Sequence, residues 1–121
     1  MEIVRREQRE AFITADGSSI RELAGIPSAN ATNQSLAEAV VAPGATTVAH
    51  LHRRSEEIYL FTGGSGRMRL GDDESSVRAG DCVVIPPGVA HKLWADEQEP
   101  LTLLCCCAPA YSHEDTVLLE H

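Results

Sequence analysis

Residues 44–64 read Gly44-Ala-Thr-Thr-Val-Ala-His50-Leu-His52-Arg-Arg-Ser-Glu56-Glu57-Ile-Tyr59-Leu-Phe61-Thr-Gly-Gly64. His50 and His52 stand two apart. On an extended strand such residues share a face, about 6–7 Å from one another. On a helix the same spacing would send them to nearly opposite sides, so only a strand lets both imidazoles converge on one ion. A carboxylate follows at Glu56 or Glu57 and opens the next apolar run. Two imidazoles and a carboxylate make a transition-metal site by ligand type.

A second segment completes a pattern: Gly80-Asp-Cys-Val-Val-Ile-Pro86-Pro-Gly88-Val-Ala-His91. With Gly44, His50-x-His52, glutamate and Gly64 before it, the chain resembles the cupin family, whose two motifs occur in this order. Residues 65–79 separate them, a spacing typical of compact members. The family's asparagine after the last histidine is Ala95 here. The resemblance covers residues 36–108 and implies an all-β, antiparallel jelly-roll (double-stranded β-helix) barrel with an interior open to ligands.

It also implies that His50, His52, one glutamate and His91 hold one divalent metal. Glu57 is preferred because Glu-Glu-Ile-Tyr followed by Gly-Ser-Gly aligns best with family members when the second glutamate binds. Strand alternation then puts Tyr59 and Phe61 on the same inner face. Glu56 remains the alternative ligand. Three imidazoles and a carboxylate suit Fe, Mn, Ni, Co, Cu or Zn, whereas calcium and magnesium want mostly oxygen. An open coordination position would take a substrate carboxylate, enolate or carbonyl. The glutamate that does not bind metal, Glu56, and Tyr59 are the candidates for proton transfer. Phe61, Met68 and Trp94 are candidate pocket residues.

The rest of the chain fits this frame. A chain of 121 residues suits one domain, and 43% hydrophobic with 23% charged content is ordinary for a globular protein. A formal charge of −8, with Lys92 the one lysine, argues against nucleic acid as a partner. The apolar runs are too short for a membrane helix. The opening residues Met1-Glu-Ile-Val-Arg-Arg-Glu7 show neither an apolar core nor a small-residue cleavage site, so the expected compartment is the cytoplasm. Cys82 and the run Cys105-Cys106-Cys107 contain no C-x-x-C and read as small buried hydrophobes in a reducing environment.

Short apolar segments alternate with turn signals, as in a barrel or sandwich. Strands are expected over 36–41, 48–52, 57–61, 67–70, 76–78, 81–85, 91–95 and 101–107. Residues 71–74 read as a hairpin turn. Residues 36–41 have a helix-favouring composition but are stopped by Pro43-Gly44. Residues 1–35 read as an arm with a strand near 10–14, a turn at Asp16-Gly17, and a strand or helical turn over 18–23. Residues 109–121 read as a tail, its polar part 109–116 a surface loop, and 119–121 resemble an expression-tag junction.

The functional expectation is a metalloenzyme for a small oxygen-bearing molecule. Cupin activities include dioxygenation, decarboxylation, isomerisation, cyclisation and lyase reactions, and these residues do not separate them. The rival expectation is a non-catalytic barrel binding a small ligand or sugar. The family resemblance and open sheet edges also lead to the expectation of a homodimer.

Overall fold

The computed structural model describes residues 1–120; His121, the end of the suspected tag junction, lies outside the described residues. Among the described residues, eleven strands form two antiparallel sheets. They are β1 (Phe12–Ile13), β2 (Ser19–Ala24), β3 (Ser35–Val41), β4 (His50–His52), β5 (Glu56–Gly63) and β6 (Ser65–Leu70). The remainder are β7 (Asp73–Arg78), β8 (Cys82–Ile85), β9 (His91–Ala95), β10 (Leu101–Ala108) and β11 (Thr116–Leu118). One sheet runs β1-β2-β3-β10-β5-β8, the other β11-β4-β9-β6-β7. This is the all-β jelly roll that the two motifs imply.

Side-chain alternation decides what lies between the sheets. Along β5, Glu57, Tyr59 and Phe61 are buried while Glu56, Ile58, Leu60 and Thr62 are exposed, the period of two expected of a strand with one face inward. Facing residues from β10 (Leu101, Leu103), β8 (Ile85), β9 (Leu93), β6 (Met68) and β3 (Ala39, Val41) complete the core. Residues 36–41 settle as strand despite their helical propensity. β3 is hydrogen-bonded to β10 on one edge and β2 on the other, and that ladder outweighs a few tenths of a kcal/mol of local preference.

The ends differ from a simple arm and tail. β2 extends the first sheet by pairing with β3, which resolves residues 18–23 as strand. At the other end residues 109–115 do form a loop, but Thr116–Leu118 then adds a strand beside β4. Glu120 receives the Ala49 amide at 3.0 Å and is ion-paired with Lys92. The 71–74 turn is tighter than its composition suggests. Asp73 and Glu74 already belong to β7, and only Gly71 and Asp72 turn. Gly71 adopts φ +59°, the left-handed region where glycine is favoured.

Two other glycines separate conformation from space. Gly64 and Gly88 have φ of +76° and +78°. A Cβ on Gly64 would lie 2.0 Å from the Pro100 carbonyl oxygen, whereas one on Gly88 meets nothing within 4 Å. Gly88→Ala should therefore cost about 1–2 kcal/mol for the left-handed backbone alone. Gly64→Ala adds a backbone clash and should cost roughly 3–5 kcal/mol. Urea midpoints of the two variants check the order; equal losses would contradict it.

Candidate metal centre

The alternation of β4 brings His50 and His52 to the inner face, and both are buried. His91 opens β9 directly opposite His50 in the ladder. Pro86, Pro87 and Gly88 set the entry to that strand, and the Gly88 amide donates to the His52 carbonyl at 2.7 Å. Glu57 comes from β5 of the facing sheet. One ligand-type atom from each of His50, His52, Glu57 and His91 lies within 4.8 Å of all the others, and all four residues are buried. Ring centroids are 4.3 Å apart for His50–His91, 5.2 Å for His50–His52 and 5.4 Å for His52–His91.

The outer ring nitrogens say which way the inner ones face. His50 Nδ1 lies 2.8 Å from the Val48 carbonyl and His91 Nδ1 lies 3.1 Å from the Val89 carbonyl. A carbonyl oxygen only accepts, so each Nδ1 carries the proton and each Nε2 keeps a lone pair. His52 Nδ1 sits 3.0 Å from Thr116 Oγ1, whose own hydrogen goes to the Ser112 carbonyl at 2.9 Å. That hydroxyl therefore accepts as well, and His52 takes the same tautomer. Such outer contacts are how metal-binding imidazoles are held in register.

Glu57 Oε1 stands 3.2 Å from His52 Nε2 and 3.3 Å from His91 Nε2, yet these three buried atoms have no hydrogen-bond partner among the described residues. A buried polar atom left so costs about 1–3 kcal/mol. Convergent lone pairs beside a carboxylate are the complement of a cation, so these residues fit a metal ion. Burial raises the Glu57 carboxyl, and His52 and His91 bring it down to about 2 only by carrying a proton on the nitrogen that faces it. With those nitrogens bare, a cation at the same point supplies the stabilisation instead. Burial, then the neighbouring His91, pushes the His50 imidazole below its ordinary value. The other carboxylate oxygen, Glu57 Oε2, accepts the Cys107 thiol at 3.2 Å. Burial, followed by the Glu57 charge, drives that thiol far up, so it remains a donor.

The cluster opens onto a cavity of about 430 Å³ walled largely by apolar side chains of β2, β3 and β10. Tyr59 reaches it; burial, then the Glu57 charge, raises its phenol well above the ordinary value, so it stays protonated and can donate but not serve as a base. Glu56 is on the outer face of β5 and exposed, which removes it from the inner cluster. Phe61 and Met68 are packed in the core and do not line the cavity. Trp94 is not brought there either. It alternates out of register with His91 and Leu93, lies on the outer face of β9, and stacks with Arg69 and Lys92 at 5.9 and 5.4 Å.

Several residues that the motifs do not mark support the centre. Asp115 is buried and receives the Arg54 amide at 2.9 Å and the Ser55 amide at 3.0 Å, while its carbonyl accepts the Arg53 amide at 2.8 Å. This clamps the turn between His52 and Glu57. Asp16, Thr116, Tyr111 and Cys107 also reach the cavity. A period-two reading of β10 from Leu101 and Leu103 would have found Cys105 and Cys107.

A two-sheet jelly roll with this inner cluster defines a class, and the chain belongs to the cupin domain family, whose model matches residues 37–107. The uncharacterized protein MJ1618 of Methanocaldococcus jannaschii is 44% identical, with 99% of this chain and 98% of that protein covered. Among solved structures, Streptomyces Pac13, described as a unique nucleoside dehydratase, superposes with TM-score 0.81 over 99% of this chain and 92% of its own, at 17% identity. A predicted oxalate decarboxylase of Thermotoga maritima superposes with TM-score 0.78 at 18% identity, over 89% and 99% of the two chains.

The Asp115 carboxyl is raised by burial but lowered more by the Ser55 and Arg54 amides, a net depression. A depressed carboxyl stabilises the fold above its unfolded value of about 3.9, and that share is lost as pH falls through the folded value. Asp115→Asn should cost about 1.5–3 kcal/mol near neutral pH. The difference from wild type should shrink as denaturation is repeated towards about pH 3. A gap independent of pH would contradict the charge-assisted clamp.

Proposed function

We propose that His50, His52, Glu57 and His91 hold one divalent transition metal, and that the protein is a metalloenzyme acting on a small oxygen-bearing organic molecule. The observation that carries this reading is the set of buried atoms on His52, Glu57 and His91 without hydrogen-bond partners among the described residues, with His52 and Glu57 lining an open cavity. Fe, Mn, Ni, Co, Cu and Zn all suit three imidazoles and one carboxylate. When bound, such an ion supplies Lewis-acid polarisation of a substrate oxygen.

The chain's own residues do the rest. The protonated Nδ1 atoms orient three lone pairs inward, Cys107 holds the second Glu57 oxygen, and Tyr59 offers a phenolic hydrogen to the cavity. The apolar walls formed by Ala37, Ala39, Val41 and Leu103 exclude water from one side of any occupant. Enzymes on this fold, such as Pac13, support turnover over simple binding, and a closed structural site would need no cavity. Of the four cysteines only Cys107 is fully buried. Cys82 and Cys106 lie on outer strand faces and are exposed, against the expectation of buried hydrophobes, and such free surface thiols suit a reducing cytoplasm.

The same reading extends to a homodimer, through the outer face of the first sheet. There Cys106, Ile58 and Val84 lie in one row and Leu104, Leu60 and Cys82 in the next. Ile58, Leu60 and Val84 are 38%, 41% and 52% exposed, an apolar patch where antiparallel sheets normally turn polar residues to water. A chain of charge −8 repels its copy over most of its surface. Among the described residues the acidic groups on this face are Glu38, paired with Arg6 and opposite Arg21, and Glu56. A second copy related by a two-fold axis is therefore the occupant that fits.

Elemental analysis of protein purified without a nickel column should find about one metal per chain. His52→Ala and Glu57→Gln should empty the site and Glu56→Gln should leave it filled. Metal retained in His52→Ala, or lost only in Glu56→Gln, would overturn the ligand set. Sedimentation should show a dimer that Leu60→Lys converts to monomer with metal content unchanged. A wild-type monomer would remove the dimer and leave the metal centre standing.

A further inference from the structure

Asp16 occupies the turn between β1 and β2, far in sequence from both motifs, and yet borders the cluster. Its carbonyl accepts the Val48 amide at 2.7 Å, and the Val48 carbonyl in turn accepts His50 Nδ1. The turn is thus tied to the strand that carries His50. Asp16 Oδ1 is saturated by Thr14 Oγ1 at 2.6 Å, Ser18 Oγ at 2.6 Å and the Ser18 amide at 2.9 Å. These contacts fix the carboxylate plane. Oδ2 makes no hydrogen bond among the described residues and stands 3.9 Å from His50 Nε2, the nitrogen that faces the centre. It falls outside the group of atoms that could share one ion.

The charge of the cavity points the same way. Asp16, Glu22, Glu57 and Glu114 line it, and neither lysine nor arginine does. Four carboxylates exceed the two charges of a divalent ion, so an anion entering this space meets net repulsion. A charge at about 5 Å across an effective dielectric of about 20 changes affinity by well over tenfold.

Resting on the metal reading above, we propose that the site takes an uncharged organic molecule with an apolar body and an O–H or N–H group. That group donates to Asp16 Oδ2, and anionic carboxylates and phosphates are selected against. Asp16 becomes the acceptor that orients substrate beside the ion, and the apolar walls receive the body.

The test uses full-length protein loaded with cobalt(II), with imidazole as a neutral donor-bearing probe and azide as an anionic probe lacking a donor. Both are followed by visible absorption at about pH 8.5, where free imidazole is neutral. Asp16→Asn keeps an Oδ1 acceptor for the turn while removing the charge. It should take up cobalt as wild type does, weaken imidazole and tighten azide, moving their affinity ratio by about tenfold or more. A smaller shift on fully loaded protein overturns the role of Asp16 and leaves the metal centre intact. Cobalt lost from Asp16→Asn alone would make Asp16 a holder of the ion and also overturn the proposal. Cobalt refused by wild type would sink the metal reading itself. Should Asp16→Asn fail to fold, Glu22→Gln reads the same field, and azide that does not tighten there overturns the charge selection.

Discussion

Three imidazoles and a carboxylate are buried around one point, and the structure is arranged so that their lone pairs meet there. Neither sheet can do this alone. His50, His52 and His91 come from adjacent strands of one sheet, and Glu57 crosses from the facing one. Sheets packed about 10 Å apart put such side chains within reach of a common centre. The carbonyls of Val48 and Val89 and the hydroxyl of Thr116 then take the outer nitrogens, so the rings cannot turn their lone pairs elsewhere. Without a cation the arrangement is a concentration of desolvated acceptors, which a fold keeps only when something offsets it.

The same alternation that sends Glu57 inward sorts the rest of β5. Tyr59 and Phe61 follow it into the interior, and Ile58 and Leu60 are left outside, so one strand sets the chemistry on one face and an apolar surface on the other. The core lies beyond the cluster, with Phe61, Ile85, Leu101 and Leu103 nearly inaccessible. The cavity forms on the side where β3 presents small residues. Ala37 and Ala39 leave room there that larger residues would fill.

Much of this was legible because it is local. A histidine pair two apart, two adjacent glutamates and a proline-proline-glycine turn before a third histidine are short patterns whose geometry follows from strand period and turn chemistry. Trp94 departs from the expected pocket by strand alternation: His91 faces inward, so Leu93 does too, and Trp94 faces out. Phe61 was placed on the correct inner face but lies below the cavity, a matter of depth that periodicity does not carry. Asp16, Asp115 and Thr116 were hidden for a deeper reason. Each meets the centre only through long-range closure, and nothing local distinguishes Asp16-Gly17 from any other surface turn.

That closure ties the centre to the far end of the chain. β4 carries two of the four inward groups, yet one of its edges is completed only by β11, and the loop after it is held by Asp115. His52 likewise waits for Thr116 to hold its ring. Without β11 the strands β2 through β10 would keep their other neighbours, while β4 would stand with one edge open. The geometry of the centre therefore depends on residues that lie outside both motifs.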